Sequence, residues 1–163
     1  MPDMYLLIEG IKGESQDKAN AAPQMVIQSF SFGASNSSSV STSSGGSGAS
    51  RGMPSQINII KDLDNSDPDL YQSCLMGNHF TKATLVCRKS GGTQNVFYQI
   101  DLTEVFISNY NVSGNSGSGS DSPGASFSMS FKQITITYTP QDATGKKGTP
   151  NKKGYDVVAQ NKV

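Results

Sequence analysis

The chain has no tryptophan, one histidine and two cysteines in 163 residues, and aromatic side chains make up only 8% of it. With a single His and two separated Cys there is no Cys-x-x-Cys or His-x-x-x-His spacing, so a zinc site is excluded on ligand count. Two thiols make no disulfide framework either, and Cys74 and Cys87 read as buried free thiols. Charge of neither sign dominates: Lys+Arg 13 balances Asp+Glu 13, which removes the electrostatic footprint that nucleic acid or an anionic membrane would require. No apolar run is long enough to cross a bilayer, and Met1-Pro2-Asp3-Met4-Tyr5-Leu6-Leu7-Ile8-Glu9 lacks the basic and apolar regions of a signal peptide. The expectation is a chain made in the cytosol, without membrane insertion.

Catalytic chemistry is missing in the same way. The lone His79 follows a helix end, where a structural role suits it better than general-base work. Ser15-Gln16-Asp17-Lys18 has the Ser-x-x-Lys spacing without its companion motifs, and Gly145-Lys146-Lys147-Gly148 has no helix behind it to hold a phosphate. Asp62, Asp64, Asp67 and Asp69 read as helix-start signals, because the central Gly and terminal Glu of a calcium loop are absent. Asn36 and Asn111 match glycosylation acceptors only formally. The sequence therefore predicts no enzyme, no cofactor and no metal.

What is present is strand. The hydrophobic share, 34%, is low, but the deficit is concentrated in two Ser/Gly-rich stretches, and the remainder suffices for one domain core. Apolar runs at residues 5–11, 25–32 and 57–63 read as strands. At residues 82–88, Ala83, Leu85 and Cys87 alternate with Lys82, Thr84, Val86 and Arg88. After a Gly91-Gly92 turn, residues 96–112 form a long strand with Val96, Tyr98, Ile100, Leu102, Phe106, Tyr110 and Val112 in phase and Glu104 interrupting the row. Along residues 127–138 the apolar row changes parity, from Phe127, Met129 and Phe131 to Ile134, Ile136 and Tyr138, which predicts a bulge near Lys132-Gln133. The tail, residues 141–163, reads as an exposed Lys/Gly-rich terminus in which Tyr155, Val157 and Val158 offer a short edge strand.

One stretch reads as helix. Ser66 or Asp67 is the N-cap, Pro68 suits the first turn, Asp67 and Asp69 complement the dipole, and Gly77 closes the C-terminus. Leu70, Tyr71, Cys74 and Leu75 lie four apart and are the expected docking stripe, so that Leu70→Asp or Leu75→Asp should unfold the domain.

Residues 33–52 read as one long loop of Ser, Gly, Asn and Thr, and residues 113–125 as a second. A loop beyond about 15 residues needs a reason, since ordering it costs about 1 kcal/mol or more per residue. Contacts with a neighbouring copy would offset that, which makes Ser37, Ser38, Ser39, Val40, Ser41, Thr42, Ser43, Ser44 and Arg51 candidate subunit-interface residues; a flexible tether is the alternative.

Four ordered segments carry a family resemblance: Gly10-Ile11-Lys12-Gly13-Glu14-Ser15-Gln16-Asp17, then Ser29-Phe30-Ser31-Phe32-Gly33, then the Asp-rich helix start with Gly77-Asn78-His79. The fourth is Phe131-Lys132-Gln133-Ile134-Thr135-Ile136-Thr137-Tyr138-Thr139-Pro140-Gln141-Asp142. Over residues 5–142 the chain resembles the Hcp proteins, tail-tube components of the bacterial type VI secretion system. The resemblance implies a mainly β fold, a two-sheet β-barrel like a phage tail tube with one short helix packed outside, spanning residues 1–140. It implies homohexameric rings that stack into a hollow tube, secretion without a cleaved signal peptide, and small effectors carried in the lumen. Spike, sheath and baseplate components would be partners. It also implies that the long loop reaches an adjacent subunit, although residues 35–50 and 115–124 are more Ser/Gly-rich than the family pattern. The competing reading is a small secreted β-barrel binding module or effector with no tube role.

Overall fold

The computed structural model describes residues 2–16, 24–39, 48–49, 51–90, 95–114, 116 and 123–163. The elements in chain order are β1 (Asp3–Ile8), β2 (Met25–Val26), β3 (Ser29–Ser31), β4 (Ala34–Ser35), β5 (Ser38–Ser39), β6 (Gly48–Ala49), β7 (Met53–Pro54) and β8 (Ile57–Asp62). They continue with α1 (Asp67–Met76), β9 (His79–Arg88), β10 (Val96–Ser113), β11 (Gly124–Tyr138), β12 (Asn151–Asp156) and β13 (Asn161–Lys162). The Gly91-Gly92 turn and most of the 14–23 connection, Lys18 included, lie outside the described residues.

The main sheet runs β13-β12-β11-β10-β9-β1-β2, with every pairing antiparallel. β11 changes neighbours along its length: its first half pairs with β8 and its second with β12. Residues 25–31 lie between the two edges this leaves. β2 pairs with β1 and β3 with β8, while Ile27 N–H donates to Met4 O at 3.1 Å and Gln28 N–H to Ile60 O at 2.8 Å. The ladder is not continuous there, but those bonds bring the sheet back on itself around a core that includes Leu6, Ile59, Leu85, Ile100, Leu102 and Phe127. The 25–32 run is thus two short pairings rather than one strand.

The three central strands exchange faces at one level. On β10 the buried residues are Ile100 and Leu102, then Val105 and Ile107; on β11 they are Met129 and then Ile134; on β9 Phe80 packs against the core from one parity and Ala83 from the other. Leu102 pairs with Ala83 and Ile134, whereas Val105 pairs with Phe80 and Phe131, so the switch is in step across the sheet. Between them stands Glu104 with φ 47°, a left-handed conformation that turns β10 without breaking its register. This is how one strand serves two packing surfaces. The parity change expected on β11 is therefore present, but it is made at Glu104 opposite Lys132, and the register shift itself falls between Ile107 and Asn109. The single even row expected along β10 is corrected for the same reason: Phe106 is exposed because the strand has turned over, whereas Tyr110, beyond the register shift, packs against the core again and Val112 at the strand end is exposed.

Helix α1 occupies the expected span, with Pro68 in its first turn and Gly77 in the left-handed region at φ 65°. Ser66 is the N-cap but makes no side-chain cap bond. Asp64 organises the approach instead, its Oδ1 accepting Ser66 N–H at 2.8 Å and also the Ser66 hydroxyl. Beneath lies Lys61, wholly buried, whose Nζ donates to Asp67 Oδ2 at 2.6 Å, Asp64 Oδ1 at 2.9 Å and Asp62 O at 2.9 Å. Tyr110 OH donates to Asp67 Oδ1 at 2.6 Å and Asp64 N–H to Oδ2 at 2.7 Å. Burial pushes the Asp67 carboxyl up, but the bonds from Lys61, Tyr110 and Asp64 together with the Lys61 charge hold it below the usual carboxylate range. Burial and the Asp67 partner raise the Tyr110 phenol, which stays neutral.

Of the expected docking stripe, Leu70 is fully buried and Cys74 half-buried against the core. Leu75 and Tyr71 are corrected: they are 69% and 54% exposed. The inward row is Asp67, Leu70 and Ser73 with Cys74 beside it, so Tyr71 and Leu75 lie off the packed face. In the tail the strand offered at Tyr155 is present as β12, which joins β11 in register from Gln133↔Asp156 to Tyr138↔Asn151, but it ends before Val157 and Val158; the reading of residues 141–163 as only an exposed terminus is corrected, since the main sheet continues past residue 140.

Candidate assembly surface

The strongest surface feature is a groove built where the long loop leaves the barrel. In Ser29-Phe30-Ser31-Phe32 the alternation turns both rings to one face; Phe30 and Phe32 stack at 6.4 Å, and Phe30 lies 6.3 Å from Tyr98. The chain then closes into a neck. Ser55 N–H donates to Gly33 O at 2.7 Å, Gly33 N–H donates to Ser55 Oγ at 2.7 Å, and β4 pairs with β7. Beyond it β5 pairs with β6, so the expected structureless loop is corrected at its described residues, where Ala34–Ser35 pairs with Met53–Pro54 and Ser38–Ser39 with Gly48–Ala49. Between the neck and the β11–β12 pair lies a cavity of about 350 Å³ lined by Phe32, Gly33, Ala34, Gly52, Met53, Pro54, Ile134, Ile136 and Tyr155.

Two basic residues flank this groove. Lys153 pairs directly with Ile136, as Tyr155 does with Ile134, and residues opposed in a ladder share a face, so Lys153 continues the row that floors the groove. Arg51 stands at the neck and donates from Nη1 to Gln160 Oε1. The carboxylates nearest in sequence are engaged. Asp156 accepts from Ala159 N–H at 2.7 Å and Gln133 Nε2 at 2.6 Å, bonds that lower its pKa. Asp142 accepts from Thr144 Oγ1 and N–H and from Lys146 N–H within one turn, which lowers its pKa as well.

A second, convex apolar patch lies on α1. Leu75 and Met76 are 69% and 70% exposed, and Tyr71 leans on Tyr110 with ring centroids 5.8 Å apart. Met53, at the groove, is 71% exposed. His79 is exposed beside Phe106, 5.5 Å between centroids. Among the described residues no three His, Cys, Asp or Glu come together to hold a metal ion, and Asp64 and Asp67 are occupied by Lys61.

Of the residues proposed from sequence as interface, Ser37 is exposed on the arm, Ser38 and Ser39 form β5, and Arg51 is exposed at the neck. Val40, Ser41, Thr42, Ser43 and Ser44 lie outside the described residues. Sequence reasoning missed the groove, because its floor comes from β11 and β12, about 100 residues beyond its wall at Phe32. The signal that was available is Tyr155, a lone aromatic in a Lys-rich tail.

Comparison with known proteins gives one answer. Residues 5–138 match the family described as type VI secretion system effector, Hcp. Hcp1 of Pseudomonas aeruginosa is 35% identical over 157 residues, covering 95% of this chain and 94% of that protein. Among solved structures, one described as a type six secretion system protein superposes with TM-score 0.93 at 26% identity over the whole of both chains. Hcp1 from Salmonella typhimurium superposes with TM-score 0.78 over 99% of each chain at 23% identity, a likeness of fold.

Proposed function

The chain belongs to the Hcp family of type VI secretion effectors, and from that premise we propose that it is the structural subunit of the secretion machine's inner tube. Six copies close into a ring, rings stack into a hollow tube, and the tube leaves the cell without a cleaved signal peptide. Small effectors travel shielded in the lumen, and spike, sheath and baseplate components are the other partners. The role is mechanical and protective, and it requires no catalysis and no cofactor.

The observation that carries this reading is the apolar surface left over once the core is complete. Leu75, Met76 and Met53 are each about 70% exposed although the barrel beneath them is fully packed. Exposed apolar groups of this size, Met53 at the groove and Leu75 with Met76 on the helix, mark contact surfaces. β12 adds to this, since β13 pairs with Tyr155 and Asp156 and Val163 N–H donates to Gly154 O, while Asn151–Lys153 have no outer ladder partner among the described residues.

Light scattering on the purified protein at high micromolar concentration tests the reading, with negative-stain microscopy for the ring shape. A mass of several subunits and annular particles are the expected result; a monodisperse monomer overturns it.

A further inference from the structure

We propose that the outer face of α1 in one copy seats in the loop-neck groove of the next, Leu75 and Met76 entering the cavity and Asp69 meeting the two bases that flank it. The inference deepens the tube-subunit reading and rests on it, since it names the contact between copies.

The two patches match in shape. One is the outward face of the helix: opposite the inward row of Asp67, Leu70 and Ser73, Leu75 and Met76 flank that face, with Tyr71 one turn before Leu75. The other is a recess of about 350 Å³ with apolar walls, with room for the side chains of Leu75 and Met76 together. They match in charge as well. Asp69 and Gln72 are exposed on the same helix, ahead of the apolar ridge, and Asp69 is not among the acids bound to Lys61. Beside the groove stand Lys153, which shares a face with Ile136, and Arg51, whose guanidinium is bonded to the neutral amide of Gln160 and keeps its charge. An apolar ridge led by an acid fits an apolar recess flanked by bases.

The patches cannot meet within one chain. α1 lies against β10 where Tyr110 pairs with Phe127 and Val112 with Ala125, whereas the groove is floored by Ile134 and Ile136. About ten residues of β11 separate the two, on the order of 30 Å of strand. Two unlike patches on one chain give a heterologous contact, which closes into a ring when the rotation between copies permits and otherwise runs on as a filament. Such a contact uses each patch once per subunit, so none is left bare in the assembly.

Two variants test it, both confined to exposed side chains. One carries Leu75→Gln with Met76→Gln and lacks the ridge; the other carries Met53→Asp with Lys153→Glu and lacks the groove. Each should keep the parent's circular dichroism and melting temperature when diluted to the monomer. Each alone should need at least tenfold more protein than the parent to assemble. Mixed in equal amounts, the two should form a heterodimer that grows no further, because the ridge of the second still fits the groove of the first while the remaining pair of surfaces is dead. Parent-like assembly of either variant alone, or a mixture that stays monomeric, overturns the contact. A monomeric parent overturns the ring reading itself, and so the two failures are distinguishable.

Discussion

Lys61 and Asp67 hold the fold's largest concentration of buried charge. A lysine with no exposure survives only because three acceptors meet its ammonium, and Asp67 supplies the shortest of those bonds at 2.6 Å. Asp67→Asn removes that charge partner and should lower the unfolding free energy by about 3 kcal/mol at neutral pH, read by urea denaturation. Tyr110→Phe removes one hydrogen bond to the same carboxylate and should cost less, about 1.5 kcal/mol. The pH dependence follows from the sign of the shift. The Asp67 carboxyl is lowered in the folded state from its ordinary value of 3.8, so its contribution is fully present above that value and is lost as pH falls through the folded pKa. The gap between parent and Asp67→Asn should therefore be widest at neutral pH and close below pH 3.8; a gap that is unchanged at pH 3 would show that Asp67 is not the titrating partner. The acid-rich stretch was legible in sequence as a helix start, but its main work was not, because nothing local marks Lys61 as buried.

Among the elements, the helix and the long hairpin separate what periodicity reveals from what it hides. The limits of α1 were legible in Pro68 and Gly77, since both act through local backbone preference. Its inward face was legible only in part: four-residue spacing gives a stripe, but the facing that buries Asp67, Leu70 and Ser73 and exposes Leu75 includes a polar pair that apolar periodicity does not mark. Leu70→Asp should accordingly cost more than about 3 kcal/mol and abolish cooperative unfolding, while Leu75→Asp in dilute monomer should stay within about 0.5 kcal/mol of the parent. The β10 turnover eluded sequence reading because Glu104 is no glycine, and a charged residue in a strand advertises exposure rather than positive φ. A β-branched side chain there suffers most from the left-handed conformation, so Glu104→Val should destabilise by about 1–2 kcal/mol in thermal melts. Glu104→Gly should fall within about 1 kcal/mol of the parent, the backbone relief offset by chain entropy and by loss of the exposed 3.8 Å contact with Lys132.

At the scale of the molecule, the barrel and the arm are separable, and this gives the loop its test. The neck is fixed by β4–β7 pairing, by the Gly33 and Ser55 bonds and by Arg51 against Gln160, none of which involves residues 36–50. Replacing residues 36–50 by a short Gly-Ser turn should leave the circular dichroism spectrum intact. It should change stability by less than about 1 kcal/mol, because shortening a closed loop alters its closure entropy only logarithmically. Assembly is a different matter. The β5–β6 pair extends the arm away from the neck as a two-stranded ribbon, and a two-stranded ribbon is marginal in water without a surface to rest on. If a neighbouring subunit is that surface, the shortened chain should remain a folded monomer at concentrations where the parent forms rings, with the helix ridge and groove both intact. Rings of undiminished stability from the shortened chain would instead make the arm a tether and leave the helix and groove as sufficient for assembly.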